Sequence, residues 1–179
     1  MRAMNGGGHI SVVTGGARSG KSALAERLAL RHGRPRIYIA TAEAFDEEMS
    51  ARIRLHRERR GKGWTTLEAP RDLAGALRAT DGQGVRLVDC LTLWLSNCLG
   101  SADVPELVAA LRGQRDPVVL VTNELGLGIV PDNALARRFR DEHGWMNQAV
   151  AEAAHEVWFA VCGQPLRVKP PQEGSDAGI

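Results

Sequence analysis

The chain has 179 residues, 44% of them hydrophobic and 25% charged, which is enough for one sizeable core and too little for two ordinary domains. Its formal net charge of +2 excludes a polyanion-binding surface over the whole molecule; basic residues concentrate between Arg18 and Lys62, which suits a phosphate-rich ligand better than a nucleic acid. Cys90, Cys98 and Cys162 are odd in number and lack C-x-x-C spacing, which argues against a zinc site or a disulfide framework and points to a reducing, cytoplasmic compartment.

In chain order, residues 1–9 are glycine-rich and carry no apolar segment, so they are expected to form a disordered extension, neither a signal peptide nor a membrane anchor. Ile10–Thr14 is an apolar, β-branched run that reads as a strand. It feeds Gly15-Gly16-Ala17-Arg18-Ser19-Gly20-Lys21-Ser22, a complete G-x-x-x-x-G-K-S loop, and then a helix over Lys21–His32. In that setting the backbone N–H groups of Gly15 to Gly20 can curl around a β-phosphate. Lys21 can reach the β and γ oxygens, and the Ser22 hydroxyl can hold Mg²⁺. A nucleoside triphosphate is the expected ligand.

A second strand, Arg36–Thr41, precedes a helix over Asp46–Arg60 whose start is acidic (Asp46, Glu47, Glu48) and whose far end carries Arg52, Arg54, Arg57, Arg59 and Arg60, a polarity that complements the helix dipole. Met49, Ile53 and His56 share one stripe of that helix, so the imidazole faces the protein body. It is either a packed histidine or, among arginines that disfavour imidazolium, a neutral nucleophile.

Helices are expected over Asp72–Ala79, Leu91–Leu99 and Pro105–Arg112, with strands at Val85–Cys90 and Val118–Thr122 between them. Asp89, at the carboxyl end of its strand, is either a metal-holding carboxylate or a cap for the helix that follows. Glu124 is its rival, at the start of a glycine-bearing loop that leads to a basic helix, Asp132–Glu156, expected to break near Gly144. A strand at Val157–Val161, a turn at Gly163-Gln164-Pro165 and an antiparallel strand at Leu166–Lys169 follow, and residues 170–179 read as a disordered tail. Trp64, Trp94, Trp145 and Trp158 are widely spaced and suit core or interface positions better than a stacking platform. The alternation predicts an α/β fold: a single domain over residues 10–169 with a mostly parallel central sheet, helices on both faces and a C-terminal antiparallel strand.

The phosphate loop, Tyr38-Ile39-Ala40-Thr41-Ala42, Asp46-Glu47-Glu48-Met49 with Arg52-Ile53, His56, Trp64, Glu68, the Thr122–Pro131 loop, Ala136–Asp141 and Asn147-Gln148 together resemble the bifunctional adenosylcobinamide kinase / adenosylcobinamide-phosphate guanylyltransferase family of cobalamin synthesis. The resemblance runs from about Ser11 to Lys169. It implies a RecA-like P-loop NTPase fold assembled as a homotrimer, with ATP or GTP as phosphoryl donor, GTP as GMP donor, and adenosylcobinamide and its phosphate as the small-molecule substrates. No nucleic acid and no membrane span are implied.

His56 matches the histidine that takes GMP. The nucleotide-contacting positions fall on Gly15–Ser22, Ala40, Thr41, Ala42, Arg57, Glu58, Arg59, Arg60, Glu68 and Asp89, with Lys21 also catalytic and Mg²⁺ on Ser22 and Asp89. Gly61 stands where the family commonly has proline, and Asp89 where it can have Glu. Guanine and cobinamide rest on the resemblance; the residues themselves leave open a one-step P-loop kinase of another metabolite and a nucleotide-driven switch or assembly protein.

Overall fold

The computed structural model describes residues 8–33, 35–43, 47 and 62–170. In the described chain, β1 (Ile10–Gly15) leads through the phosphate loop to α1 (Lys21–Leu30), then β2 (Arg36–Ala40), β3 (Trp64–Glu68), α2 (Leu73–Ala79), β4 (Val85–Asp89), α3 (Leu91–Asn97), α4 (Val104–Arg112), β5 (Val118–Val121), α5 (Ala134–Ala153), β6 (Glu156–Val161) and β7 (Gln164–Lys169). The strands form one sheet in the order β3-β2-β4-β5-β1-β6-β7, parallel throughout except for the β6–β7 pair. This is the architecture of a RecA-like P-loop NTPase, in which one strand, β5, separates the phosphate-loop strand from the strand that ends in Asp89.

The central strands are mostly apolar because both faces are covered, β5 at every position and β1 and β4 with Ser11 and Arg86 as buried exceptions. Ile10, Val12, Ile37, Ile39, Val88, Val118 and Leu120 pack against α2, α3, α4 and α5 through Leu73, Leu77, Leu91, Trp94, Leu107, Leu111, Met146 and Val150. On the opposite face Val13, Tyr38, Leu87, Val119 and Val121 pack against Leu24, Ala25, Leu28 and Ala29 of α1.

Several local expectations change. The segment Trp64–Glu68, which lacks a continuous apolar run, is strand β3, paired in parallel with β2 along its whole length. As an edge strand it needs no burial on both faces; Trp64-Thr65-Thr66, aromatic and β-branched after Gly63, is the signal that marks it. Helix α5 runs unbroken through Gly144, where an added Cβ would meet nothing, so the glycine costs helix propensity of about 1 kcal/mol without deforming the axis. Its start is Ala134, capped by Asn133, whose side chain accepts from the Ala136 amide.

The β6–β7 turn is Cys162-Gly163, with φ of 52° and 75°, so Gln164 and Pro165 already lie in β7. Two adjacent residues with positive φ make the two-residue hairpin that matches strand twist, and Pro165 is tolerated because β7 is an edge. The packed chain also begins before β1: the Gly8 amide donates to Gln114 O at 2.6 Å, and the His9 ring stacks on His155 with centroids 5.0 Å apart.

At the amino-terminal end of the sheet, Arg86 of β4 is fully buried. Its guanidinium donates to Gly84 O (2.8 Å), Asp81 Oδ1 (3.2 Å) and Gln114 Oε1 and lies 3.7 Å from Asp116 Oδ2. Burial alone would raise the Asp81 pKa. Hydrogen bonds from the Arg115 side chain and from the Asp116 and Arg115 amides, with the charge of Arg86, bring it down to about 2. A depressed carboxylate stabilises the fold above its unfolded pKa and loses that contribution as pH falls through the folded value. Asp81→Asn should therefore lower stability at pH 7 by about 2 kcal/mol and flatten its dependence between about pH 4 and 2, as read by urea melts across that range.

Candidate active site

The site is built where parallel strands deliver their carboxyl ends. Glu68, Ala40, Asp89, Val121 and Val13 form one lateral row of register partners across β3, β2, β4, β5 and β1, and the phosphate loop begins two residues beyond Val13. Loops and side chains after that row share one crevice, which is where open α/β sheets bind ligands.

The loop's shape depends on close backbone approach. A Cβ at Gly15 would lie 2.5 Å from Ala160 O and 2.6 Å from Ser19 Oγ, so no other residue fits without moving β6. Gly20 caps α1 at φ 94°, in the left-handed region. The turn of the β6–β7 hairpin supports the loop from outside, because the Gly163 amide donates to Ser19 O at 3.1 Å. Ser19 Oγ is buried and has no partner among the described residues. Ala17 and Arg18 are exposed at the loop's crown, with Arg18 at φ 55°.

Lys21 is half-buried, and its Nζ donates to Gly16 O at 3.0 Å across the mouth of the loop. Burial lowers its pKa, opposed by electrostatic interaction with Cys90 and with the Asp89 carboxylate nearby. A triphosphate in the loop would add to that opposition, so binding and protonation of Lys21 support each other.

Asp89 closes β4, and its Oδ2 accepts from Tyr38 Oη at 3.1 Å; the peptide that follows is cis. Thr41, just beyond β2, clamps this corner. Its amide donates to Asp89 O, its hydroxyl donates to Cys90 O and accepts from the Cys90 amide, both at 2.7 Å, and its carbonyl accepts from Asn97 Nδ2. Every polar atom of Thr41 is thus engaged within the protein, and it holds the strand end that carries Asp89. Burial pushes the Cys90 thiol up to about 11, so it is an inert thiol here. Asp89 is not the side-chain cap of α3: the cap position is Cys90, without a side-chain capping bond.

Glu124 lies against the loop through its backbone, its amide donating to Gly15 O at 3.1 Å, while its Oε1 accepts from the Gly126 amide. That carboxylate is committed to shaping its own turn, which leaves Asp89 as the better placed of the two beside Lys21. Ser22 opens α1 half-buried, and Ala40 and Ala42 flank Thr41 at the β2 exit. Glu68 is exposed at the end of β3. A hydroxyl and a carboxylate are the hard oxygen donors that suit Mg²⁺, and the buried, unpartnered Ser19 Oγ marks a cradle formed for a polar ligand. His56, Arg57, Glu58, Arg59 and Arg60 lie outside the described residues.

Sequence reasoning passed over Tyr38 as a support for Asp89, and it passed over a buried polar cluster behind β5: Thr92, Thr122, Asn123, His143 and Asn147. A histidine on the apolar stripe of α5, with Met146 and Val150, was the signal available for the latter.

The residues 11–168 match the family model described as cobinamide kinase / cobinamide phosphate guanyltransferase. The bifunctional adenosylcobalamin biosynthesis protein CobP of Pseudomonas aeruginosa is 48% identical over 170 residues, covering 88% of this chain and 96% of that one. The bifunctional adenosylcobalamin biosynthesis proteins CobU of Escherichia coli and Salmonella typhimurium are 40% and 42% identical, each over 88% of this chain and 98% of theirs. Among solved structures, a Pyrococcus horikoshii OT3 protein studied under the project name PH0250 matches with a TM-score of 0.55 at 10% identity, over 95% of this chain and 90% of that one, a likeness of fold alone. With the phosphate loop, the Asp89 corner and near full-length similarity in agreement, the chain belongs to the cobinamide kinase / cobinamide phosphate guanyltransferase family.

Proposed function

We propose that this protein phosphorylates adenosylcobinamide with ATP or GTP and then transfers GMP from GTP to the phosphorylated product, giving adenosylcobinamide-GDP. The observation that carries this reading is the Gly15–Ser22 loop set beside Asp89 at the carboxyl edge of the sheet, in a chain of this family. In the first reaction the oxygen of the substrate hydroxyl attacks the γ-phosphorus, the bond from that phosphorus to the β-bridging oxygen breaks, and the nucleoside diphosphate leaves. The hydroxyl proton passes to solvent or a carboxylate. Lys21 and the loop amides hold the β and γ oxygens in place, and positioning with charge neutralisation supplies most of the catalysis. Ser22 and Asp89 would hold Mg²⁺, which when bound screens the charge of the triphosphate.

In the second reaction a ring nitrogen of His56 attacks the α-phosphorus of GTP and pyrophosphate leaves. A phosphate oxygen of the cobinamide phosphate then displaces the imidazole and takes GMP. The resemblance and the i, i+4, i+7 spacing of Met49, Ile53 and His56 in the sequence support this role for His56, with Arg57, Arg59 and Arg60 as neutralising cations and Glu58 next to them in the sequence. Residues Ala40 to Ala42 and Glu68 are read as the far side of the nucleotide site.

A homotrimer in the cytoplasm is part of the same reading. Leu127, Ile129, Val130 and Leu135 form an exposed apolar group beyond β5, with Ile129 at 98% exposure, and such a group suits burial against another copy. No helix among the described residues is long and apolar enough to cross a membrane.

Incubation with α-labelled GTP should label the protein through an acid-labile, base-stable bond, and His56→Ala should abolish the label while the kinase step survives in part. Label on another residue, or guanylylation by His56→Ala, would overturn the histidine route. Lys21→Ala should cut both half-reactions by about a hundredfold or more with the fold intact by circular dichroism, because the loop backbone forms without the ammonium. Asp89→Asn keeps the shape and loses the charge, so a Mg²⁺ titration of the kinase step should move to clearly higher concentrations; an unchanged titration would shift the metal role to another carboxylate.

A further inference from the structure

The polar cluster behind β5 joins α3, α5 and the exit of β5 through side-chain hydrogen bonds. Thr92 Oγ1 accepts from the Asn123 amide at 3.2 Å and from Asn123 Nδ2 at 2.9 Å, which uses both of its lone pairs. Its own hydroxyl proton can then go to His143 Nε2, 2.8 Å away, when that nitrogen is unprotonated. The Thr122 hydroxyl donates to Asn147 Oδ1 at 2.8 Å, and Asn147 Nδ2 donates to Asn123 O at 3.0 Å, so the amide orientation of Asn147 is fixed from both ends. Flipping it would set two carbonyl oxygens against each other. His143, buried in α5, meets this cluster at both ring nitrogens, with Nε2 2.8 Å from Thr92 Oγ1 and 3.4 Å from Thr122 Oγ1 and Nδ1 3.4 Å from Asn147 Nδ2.

The cluster stands directly behind the site. Asn123 is fixed through its amide, its side chain and its carbonyl, and the next amide, Glu124, meets Gly15 O at the first residue of the phosphate loop. β5 is also the strand that joins the Asp89 strand to the phosphate-loop strand. We propose that His143 is a positioning residue for phosphoryl transfer: by accepting the Thr92 hydroxyl proton it fixes Asn123 and the β5 exit against the phosphate loop, and protonation of its ring releases that hold.

An Nε2–H would face the Thr92 hydroxyl, whose lone pairs are both taken by Asn123, and would have the longer Thr122 Oγ1 contact at 3.4 Å in its place, so Thr92 could keep His143 or Asn123 but not both. The groups around the ring are Thr92 from α3, Thr122 from β5, Phe139 and Asn147 from α5, and Glu124 from the loop, the last of these the charged one among the described residues. Burial lowers the His143 pKa and Glu124 works against that, so the neutral form prevails at pH 7 and the hold weakens as pH falls below the ordinary histidine range.

This inference rests on the reading of the Gly15–Ser22 loop as the triphosphate site. The test is the kinase half-reaction, which needs no histidine nucleophile, measured with ATP and cobinamide as a function of pH for the full chain. His143→Leu should lower kcat about tenfold or more while KM for ATP stays within about twofold; His143→Gln, whose Oε1 can accept from Thr92, should keep about a third of kcat or more. The acid limb of kcat in His143→Gln should lie at lower pH than in the parent. Equal losses in the two variants, no loss in either, or an unshifted acid limb would overturn the proposal. If His143→Leu does not fold, Thr92→Val against Thr92→Ser makes the same comparison through the hydroxyl. A Lys21→Ala control separates the two readings: a working Lys21→Ala protein refutes the site itself, whereas a dead one beside an unaffected His143→Leu refutes only the hold.

Discussion

The close approach at Gly15 is the constraint on which the site depends. With no Cβ, the chain can pass within contact of Ala160 O and Ser19 Oγ and leave β1 in a curl instead of continuing along the sheet. From that curl follow the cap at Gly20, the direction of α1, and the position of Lys21 over Gly16 O. A bulkier residue would have to separate β1 from β6, and the parallel register that places Val13 in line with Val121 and Asp89 would go with it.

Charge is managed in two separated places. At the amino-terminal end of the sheet a buried guanidinium is met by Asp81, Asp116 and Gln114, each held by backbone or side-chain bonds, so the cation has lasting partners. At the carboxyl-terminal end Lys21 is half-buried against a backbone carbonyl, with Asp89 near enough to act on it by charge. The first arrangement is complete and supports the fold. The second leaves its cation partly exposed on a backbone carbonyl, which is the difference between the two.

Much of this was legible in the residues. The phosphate loop declares itself because Gly15, Gly20, Lys21 and Ser22 stand at the spacing that backbone geometry and phosphate contact require, and the buried central strands declare themselves because covering both faces leaves few polar residues in them. Edge structure was harder. Trp64–Glu68 is half-exposed, so its pattern carries no continuous apolar run, and the start of β7 is masked by Pro165, a residue that only an edge strand accepts. Supporting hydrogen bonds were invisible for a different reason: Thr41 with Cys90, and His143 with Thr92, join residues separated along the chain, and spacing says nothing about such pairs until the sheet order is known. The choice of guanine and cobinamide comes through family membership, because no spacing in the chain encodes either.

The bond from the Gly163 amide to Ser19 O ties the far end of the chain to its first functional turn. An edge hairpin with no place in the chemistry thereby acts as a buttress for the anion cradle, and the curvature of that cradle is a property of the assembled sheet more than of its own eight residues. Grafting the loop sequence onto another strand and helix would carry over the amides and the lysine but not the wall that keeps them bent. Conversely, variation in the hairpin, even at the exposed Cys162, would bear on the loop through the Gly163–Ser19 bond next to it.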